Sequence, residues 1–277
     1  MRQHYRYTYT GPVWDLRQRL LMIPSDRQRD QVLLNHDLAV RGTEGDHRLT
    51  WERDEFGNRV ARVLANRVPQ AIDFEAMFRL ERTATPNGVD APPWRSDTER
   101  LSYLRPTALT APDKRLIGAA LDIAHAAADA GERAELAHRW AARAITYQLG
   151  VTGYSTPAAM ALSLGLGVCQ DYTHILLTVL RLLNVPARYV SGHLVGEGAP
   201  HAWVEAFVER RDGGIDVIGF DPTHARRTRL DYLTVAVGRD YADVSPTSGT
   251  YSGPALGRLA ATKHADVVEL DGVAAVA

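Results

Sequence analysis

From residue 1 to residue 83, no stretch of the chain places apolar residues at helical spacing. A region this long without a helical face has to bury its apolar surface through sheets. It offers a succession of β-branched and aromatic runs, led by Gln3-His4-Tyr5-Arg6-Tyr7-Thr8-Tyr9-Thr10. Such runs fit a pleated, half-buried surface. Further strands are predicted at 16–23, 31–40, 47–53, 59–65 and 70–82, with Asp54-Glu55-Phe56-Gly57-Asn58 as a turn between two of them. About six strands in so short a span point to an antiparallel sandwich.

The chain then changes character. Residues 84–98, with Pro86, Asn87, Gly88, Pro92 and Pro93, read as a linker. Ala-rich segments at 114–130 and 132–149 carry apolar residues at helical spacing, with Gly131 between them. After Gly165 and Gly167, the residues Tyr172, Leu176, Val179, Leu180 and Leu183 line one face of a buried helix, which Asn184-Val185-Pro186 ends. Strands are predicted at 187–195, 201–209 and 215–220. The expected organisation is an N-terminal β-rich domain and linker at 1–98, an α+β catalytic domain at 99–253, and a last strand or loose tail at 254–277.

Composition narrows the function classes. The chain has 277 residues, 45% of them apolar and 23% charged, with a formal net charge of −1. That balance excludes a strongly basic nucleic-acid or membrane-surface binder. Lys114 and Lys263 are the only lysines, so 32 − 2 leaves 30 arginines, read as a coding bias. The start of the chain has no apolar core of a signal peptide, and no apolar run approaches the ~20 residues that cross a bilayer. A soluble cytoplasmic protein is the expectation, and no cofactor is implied. The single cysteine, Cys169, excludes an internal disulfide and a thiolate-rich zinc site.

Cys169 follows Gly-Leu-Gly-Val and opens the helix just described. Free N–H groups and the positive end of the helix dipole favour thiolate over thiol there. Read blandly, it is a small buried hydrophobe. A cysteine nucleophile needs a base, and the base needs an orienting acceptor. His201 starts one predicted strand and Asp221 ends the next, with Asp212-Gly213-Gly214 between them. A hairpin closed at 212–214 places both side chains on one face but sets Asp221 opposite Glu205. A bulge or a longer loop must therefore adjust the register. A strand-end polar residue and an Asp-Pro turn former remain the plain readings of His201 and Asp221.

Four segments in order are distinctive: Gly167-Val168-Cys169-Gln170-Asp171-Tyr172, Val185-Pro186-Ala187-Arg188-Tyr189-Val190-Ser191-Gly192, His201-Ala202-Trp203-Val204-Glu205 and Gly219-Phe220-Asp221-Pro222-Thr223. They resemble the bacterial transglutaminase-like superfamily, papain-like folds with a Cys-His-Asp triad. The likeness extends from the N-terminal β region to Gly238–Val244 with Gly249 and Tyr251, roughly residues 1–253. It implies an α+β fold: an N-terminal antiparallel β-sandwich followed by a papain-like transglutaminase core, with a helical part packed on an antiparallel sheet.

The resemblance also implies roles. Cys169 is the nucleophile, His201 the base and then the acid, and Asp221 the residue that orients His201. The Cys169 N–H would donate to an oxyanion, with Trp140, Tyr147 and Gln170 as candidates for a second donor. Asp171 is expected to satisfy N–H groups of the first helical turn. Two histidines depart from the family pattern: His193, where an aromatic is usual after Ser-Gly, and His224 after Asp-Pro-Thr. With Gln170 and Trp203 they are candidates for lining a substrate cleft, although Trp203 reads first as packing beside His201. No metal site is expected from these histidines with His174 and His201, because the only thiolate is already engaged.

The first functional reading is a cysteine hydrolase, a peptidase or amidase working through a thioester on a peptide, protein or small amide. An amine-accepting acyltransferase shares the triad, and a non-catalytic interaction protein could retain the fold. The N-terminal β region is a candidate for substrate recognition or for dimerisation into a homo-oligomer; neither nucleic acid nor a membrane is expected as partner.

Overall fold

A computed structural model describes residues 1–83, 94, 96–210 and 212–267. The first seven strands are β1 (Arg2–Tyr9), β2 (Val13–Leu20), β3 (Arg27–Gln28), β4 (Gln31–Arg41), β5 (His47–Arg53), β6 (Arg59–Val68) and β7 (Ala71–Arg82). In β7, Ile72, Phe74, Ala76 and Phe78 are buried while the residues between them lie nearer the surface. That two-residue period is the pleat of a sheet with one face on a core. Asp54 fixes the predicted turn by accepting the Phe56 and Asn58 N–H groups.

The strands form two antiparallel sheets that share a core of Tyr5, Tyr9, Leu16, Leu20, Ile72 and Phe74. Two late strands complete them. β15 (Thr247–Ser252) pairs with β2, and β16 (Gly257–His264) pairs with β1. The resulting orders are β16-β1-β7-β4-β3 and β15-β2-β6-β5. The segment expected as a last strand or tail thus supplies β16, while residues 268–277 lie outside the described residues. β15, expected within the catalytic region, is a strand of the sandwich.

Most of the expected linker lies outside the described residues, but its end begins α1 (Asp97–Ser102), capped by Ser96. Then follow α2 (Lys114–Ala126) and α3 (Ala130–Ala144). Gly131 does not separate them. The break falls at Ala127–Asp129, because the Asp129 carboxylate caps α3 through the Glu132 N–H.

Next come β8 (Thr146–Tyr147), α4 (Ala158–Leu164), β9 (Leu166–Gly167) and α5 (Cys169–Leu182). Then β10 (Ala187–Leu194), β11 (Pro200–Glu209), β12 (Ile215–Asp221), β13 (Arg226–Arg227) and β14 (Tyr232–Gly238) make an antiparallel sheet of order β13-β12-β11-β10-β14. A short α6 (Tyr241–Val244) leads back to the sandwich.

α5 packs on α2, α3 and α4 and on β10 and β11. It is buried from Asp171 to Arg181 all round, not on one face as its apolar period suggests. Its polar residues are tolerated there through bonding. Thr173 and Thr178 donate to the carbonyls one turn earlier, and Arg181 reaches the carbonyls of Tyr103, Ala187 and Arg239. Asn184, in the left-handed region at φ 58°, ends the helix.

The two layers are joined by side-chain amides. Gln31 accepts the Thr234 N–H and donates to its carbonyl; Asn58 does the same for Val237. Both amides are buried, and they occupy backbone groups of β14, the edge strand.

Candidate active site

The site begins with a tight passage into α5. Gly165 ends α4 at φ 67°, and two residues later Gly167 leaves room that no side chain could fill. A Cβ on Gly167 would stand 2.7 Å from the Asp171 Cβ. The closeness has a purpose: Asp171 Oδ2 accepts the Val168 N–H at 2.8 Å and the Thr152 hydroxyl at 2.6 Å. Asp171 therefore satisfies the helix start, as its position in the first turn predicts. Burial pushes its carboxyl up, against these bonds. Cys169 is left as the first helical residue, half-buried. Its N–H and that of Gln170 have no acceptor within the helix.

β11 brings His201. The connection to β12 runs from 210 to 214 instead of 212 to 214, so Glu209 pairs with Ile215 and Val204 with Phe220. The longer loop resolves the register without a bulge. Continued by one residue, the pairing sets Asp221 opposite Trp203, one diagonal step from His201 on the same face. His201 Nε2 is 2.7 Å from Asp221 Oδ2. Cys169 also acts on the His201 ring, second to Asp221 among the groups that raise its pKa.

Asp221 is saturated with donors. Oδ2 accepts from His201 Nε2, His224 Nδ1 and the Tyr232 hydroxyl, each at 2.7 Å. Oδ1 accepts the backbone N–H groups of Thr223 and His224. The Asp221 carbonyl accepts from His138 of α3. Burial alone would push the Asp221 carboxyl up, but the bonds from His201, Tyr232 and His224 hold it well below the usual carboxylate range. Burial likewise opposes charge on His201. The Asp221 hydrogen bond and then the Cys169 contact outweigh it and raise the imidazole to about 10. The arrangement thus favours an imidazolium held by a carboxylate, in the neighbourhood of Cys169.

The remaining candidates separate. Trp203 is buried and stacks beside the His201 ring at 6.2 Å, within a cluster with Val190, Leu194, Tyr232 and Val237. His224 does not simply line a cleft: it bonds Asp221, and its Nε2 stands 3.4 Å from Glu197 of the β10–β11 loop. His193 lines no open cleft. It is buried, with Nδ1 unpartnered, and sits beside Gly192, the residue paired with His201. A Cβ on Gly192 would meet the Leu233 carbonyl at 2.1 Å and the Trp203 ring at 2.5 Å, so only glycine fits opposite the histidine.

Gln170 is less available as an oxyanion donor because its amide bonds the Gly153 carbonyl. Trp140 packs against the helical core. Tyr147 is exposed, and the Cys169 charge acts on its hydroxyl after burial as the main cause of its raised pKa. With Leu149 and Tyr154 it forms an exposed apolar rim beside the turn that carries Cys169.

His201 Nε2, Asp221 Oδ2 and His224 Nδ1 lie within 4.8 Å of one another, a grouping able to offer metal ligands. A dication there would have to displace the His201–Asp221 bond and compete with three donors on one oxygen. His174 does not join this group. Its Nε2 accepts the Tyr241 N–H, and burial lowers the ring to about 3.

Tyr232 and His138 carry no local motif and escaped the sequence reading. Their place at Asp221 follows from tertiary packing alone.

Comparison with known proteins agrees with this architecture. Residues 118–215 match the transglutaminase-like superfamily and residues 1–81 the bacterial transglutaminase-like N-terminal region. An uncharacterized protein of Mycobacterium leprae is 42% identical over 127 residues, covering 42% of this chain and 43% of that protein. One of Mycobacterium bovis is 36% identical over 115 residues, covering 38% and 37%. The chain thus aligns with less than half the length of these relatives. The solved "putative cysteine protease" of Cytophaga hutchinsonii superposes with a TM-score of 0.68 at 19% identity, over 97% of this chain and 93% of that one. That is a likeness of fold across both layers. No helix among the described residues is long and apolar enough to cross a membrane. The chain belongs to the transglutaminase-like superfamily, its core preceded by a bacterial transglutaminase-like N-terminal region.

Proposed function

We propose that the protein is a cysteine hydrolase of amide or other acyl bonds, with Cys169 as nucleophile, His201 as base and acid, and Asp221 as the residue that orients His201. The observation that carries this reading is the bond of His201 Nε2 to Asp221 Oδ2 at 2.7 Å, with Cys169 acting on the same ring.

The Cys169 sulfur attacks the acyl carbonyl, and negative charge develops on its oxygen. The N–H of Cys169 at the helix start is placed to stabilise that charge. His201 passes its proton to the leaving amine, and a thioester remains on the sulfur. A water then attacks, giving its proton to His201, and the thiolate departs. Asp221 keeps its negative charge throughout and stabilises the imidazolium. Water is favoured as acceptor because Cys169 is half-buried and stands at an exposed rim, so the thioester is not sealed from solvent.

The test is to incubate the protein with a library of glutamine and peptide amides, with and without a primary amine, and to read both enzyme and products by mass spectrometry. An acyl group on Cys169 and a carboxylate product are expected. Incorporation of the amine in preference to water would make the protein an acyltransferase. A lack of any acyl-enzyme with the whole library would contradict the catalytic reading.

A further inference from the structure

The ladder between β11 and β12 stops at the Val204–Phe220 pair, short of His201. Above that pair the start of β11 is laddered to β10 alone, through Pro200–His193 and His201–Gly192. Side chains carry the link to the end of β12 from there on. One link is His201 Nε2 to Asp221 Oδ2 at 2.7 Å. The other runs outside it. Glu197 Oε1 stands 3.4 Å from His224 Nε2, and His224 Nδ1 stands 2.7 Å from the same Asp221 oxygen. Glu197 lies in the β10–β11 loop that leads into His201, so the two links close a ring around the His201–Asp221 pair.

His224 is fixed at its inner end. Its backbone N–H and that of Thr223 donate to Asp221 Oδ1 at 3.2 and 2.9 Å. The loop it reaches is held by little else. Residues 196–199 are exposed. Glu197 lies between Gly196 and Gly198, each with open space where a Cβ would stand. Among the described residues, His224 is the only ionic partner of Glu197.

The protons on the His224 ring decide when the outer link holds. Asp221 is ionised, so the nitrogen bonded to it, Nδ1, carries a proton. A neutral ring then turns the bare lone pair of Nε2 toward the Glu197 carboxylate, and the two repel. Only the imidazolium donates at both nitrogens. Around it stand the Asp221 and Glu197 carboxylates, the His201 ring with centroids 5.1 Å apart, and the Tyr232 hydroxyl, itself bonded by Arg226 at 2.8 Å. With both rings charged, two imidazoliums balance two carboxylates.

We propose that His224 is a positioning residue: as an imidazolium it fastens the β10–β11 loop, and with it the start of the strand that carries His201, to the Asp221 carboxylate, and on losing its Nε2 proton it releases that loop. The proposal rests on His201 and Asp221 as the acid–base pair of the reaction proposed above. It adds the condition under which the two strands that carry them are held together beyond the end of their ladder.

The test is hydrogen exchange at the amides of residues 196–199 and 201, corrected for the intrinsic rate, from about pH 5 to about pH 9. The full-length native protein, Glu197→Gln, His224→Asn and the double variant are compared. NMR of the native protein gives the pH at which the His224 ring titrates. Iodoacetamide labelling of Cys169, the only cysteine, is read on the same native sample.

Protection in the native protein should fall about threefold as His224 gives up its proton, the size of one partly exposed ion pair. Each single variant should show the lower protection throughout, with no step, and the double variant no further loss. Level protection through the His224 titration, a step that persists in Glu197→Gln, or a step in the loop that is absent at residue 201 overturns the proposal and leaves Cys169 untouched. Failure of the native protein to label overturns the catalytic reading and the positioning role with it, even where the loop shows the step.

Discussion

Strand β11 carries two buried ionic clusters on one face, four residues apart. Glu205 is bonded by Arg188 at 2.8 Å, with Arg29 of the sandwich at 3.4 Å. Burial would push its carboxyl up, but the two guanidiniums hold it below the usual range. His201 is bonded by Asp221, and Cys169 acts on the same ring. Both clusters sit in low dielectric and both are densely bonded. The difference lies in what each leaves open. The Glu205 cluster ends in the guanidiniums of Arg188 and Arg29, with the rings of Tyr103 and Phe207 beside Arg188. The His201 cluster lies by a half-buried thiol, free of any disulfide, which is the proposed nucleophile. On the proposed reading, burial and charge alone do not mark a reactive site; an accessible nucleophile beside the bonded pair does.

The contrast can be broken most strongly at the sulfur. Cys169→Ala should remove acyl-transfer activity by at least about a thousandfold while the melting temperature stays within a few degrees, because a half-buried thiol contributes little packing. The same variant removes one of the groups that raise His201, so its imidazole should titrate below its native value of about 10, as NMR would record. In the native protein this raised value has a fixed sign. The stability it gives is complete below the unfolded pKa of about 6.5 and is lost as pH rises through about 10.

At the closed cluster the effect should be on folding. Glu205→Ala leaves Arg188 buried without its carboxylate and should cost about 3–5 kcal/mol in denaturant unfolding. The folded fraction should still alkylate at Cys169. Loss of alkylation in a folded Glu205→Ala protein would mean that the two clusters act as one.

A smaller effect is expected between the layers. Asn58→Ala strips both bonds from the Val237 backbone, a loss of about 1–3 kcal/mol. The smallest should come at His224. His224→Asn removes one of three donors on Asp221 Oδ2 and the approach to Glu197. Turnover should fall by no more than about fivefold, because Tyr232 and His201 still hold that oxygen. A loss as large as that of Cys169→Ala would place His224 in the chemistry itself.

The sandwich was legible because a two-residue burial period writes itself into the sequence, as in Ile72, Phe74, Ala76 and Phe78. Cys169 was legible because a glycine pair and an uncapped apolar residue precede a helix. The register of His201 against Asp221 was not, since two residues of loop length decide it and loop length has no periodic signal. The burial of His193 and the roles of Tyr232 and His138 depend on which surfaces meet after folding. The return of β15 and β16 to the sandwich was hidden for a related reason. Their edge position leaves them mostly exposed, with almost no apolar alternation to read.

The most direct test of the account is the alkylation rate of Cys169 by iodoacetamide at pH 6–7, compared between the native protein and His201→Ala. The account predicts labelling faster than that of a free thiol in the native protein and a marked slowing in the variant. Equal rates in the two proteins, or labelling that begins only on denaturation, would contradict it.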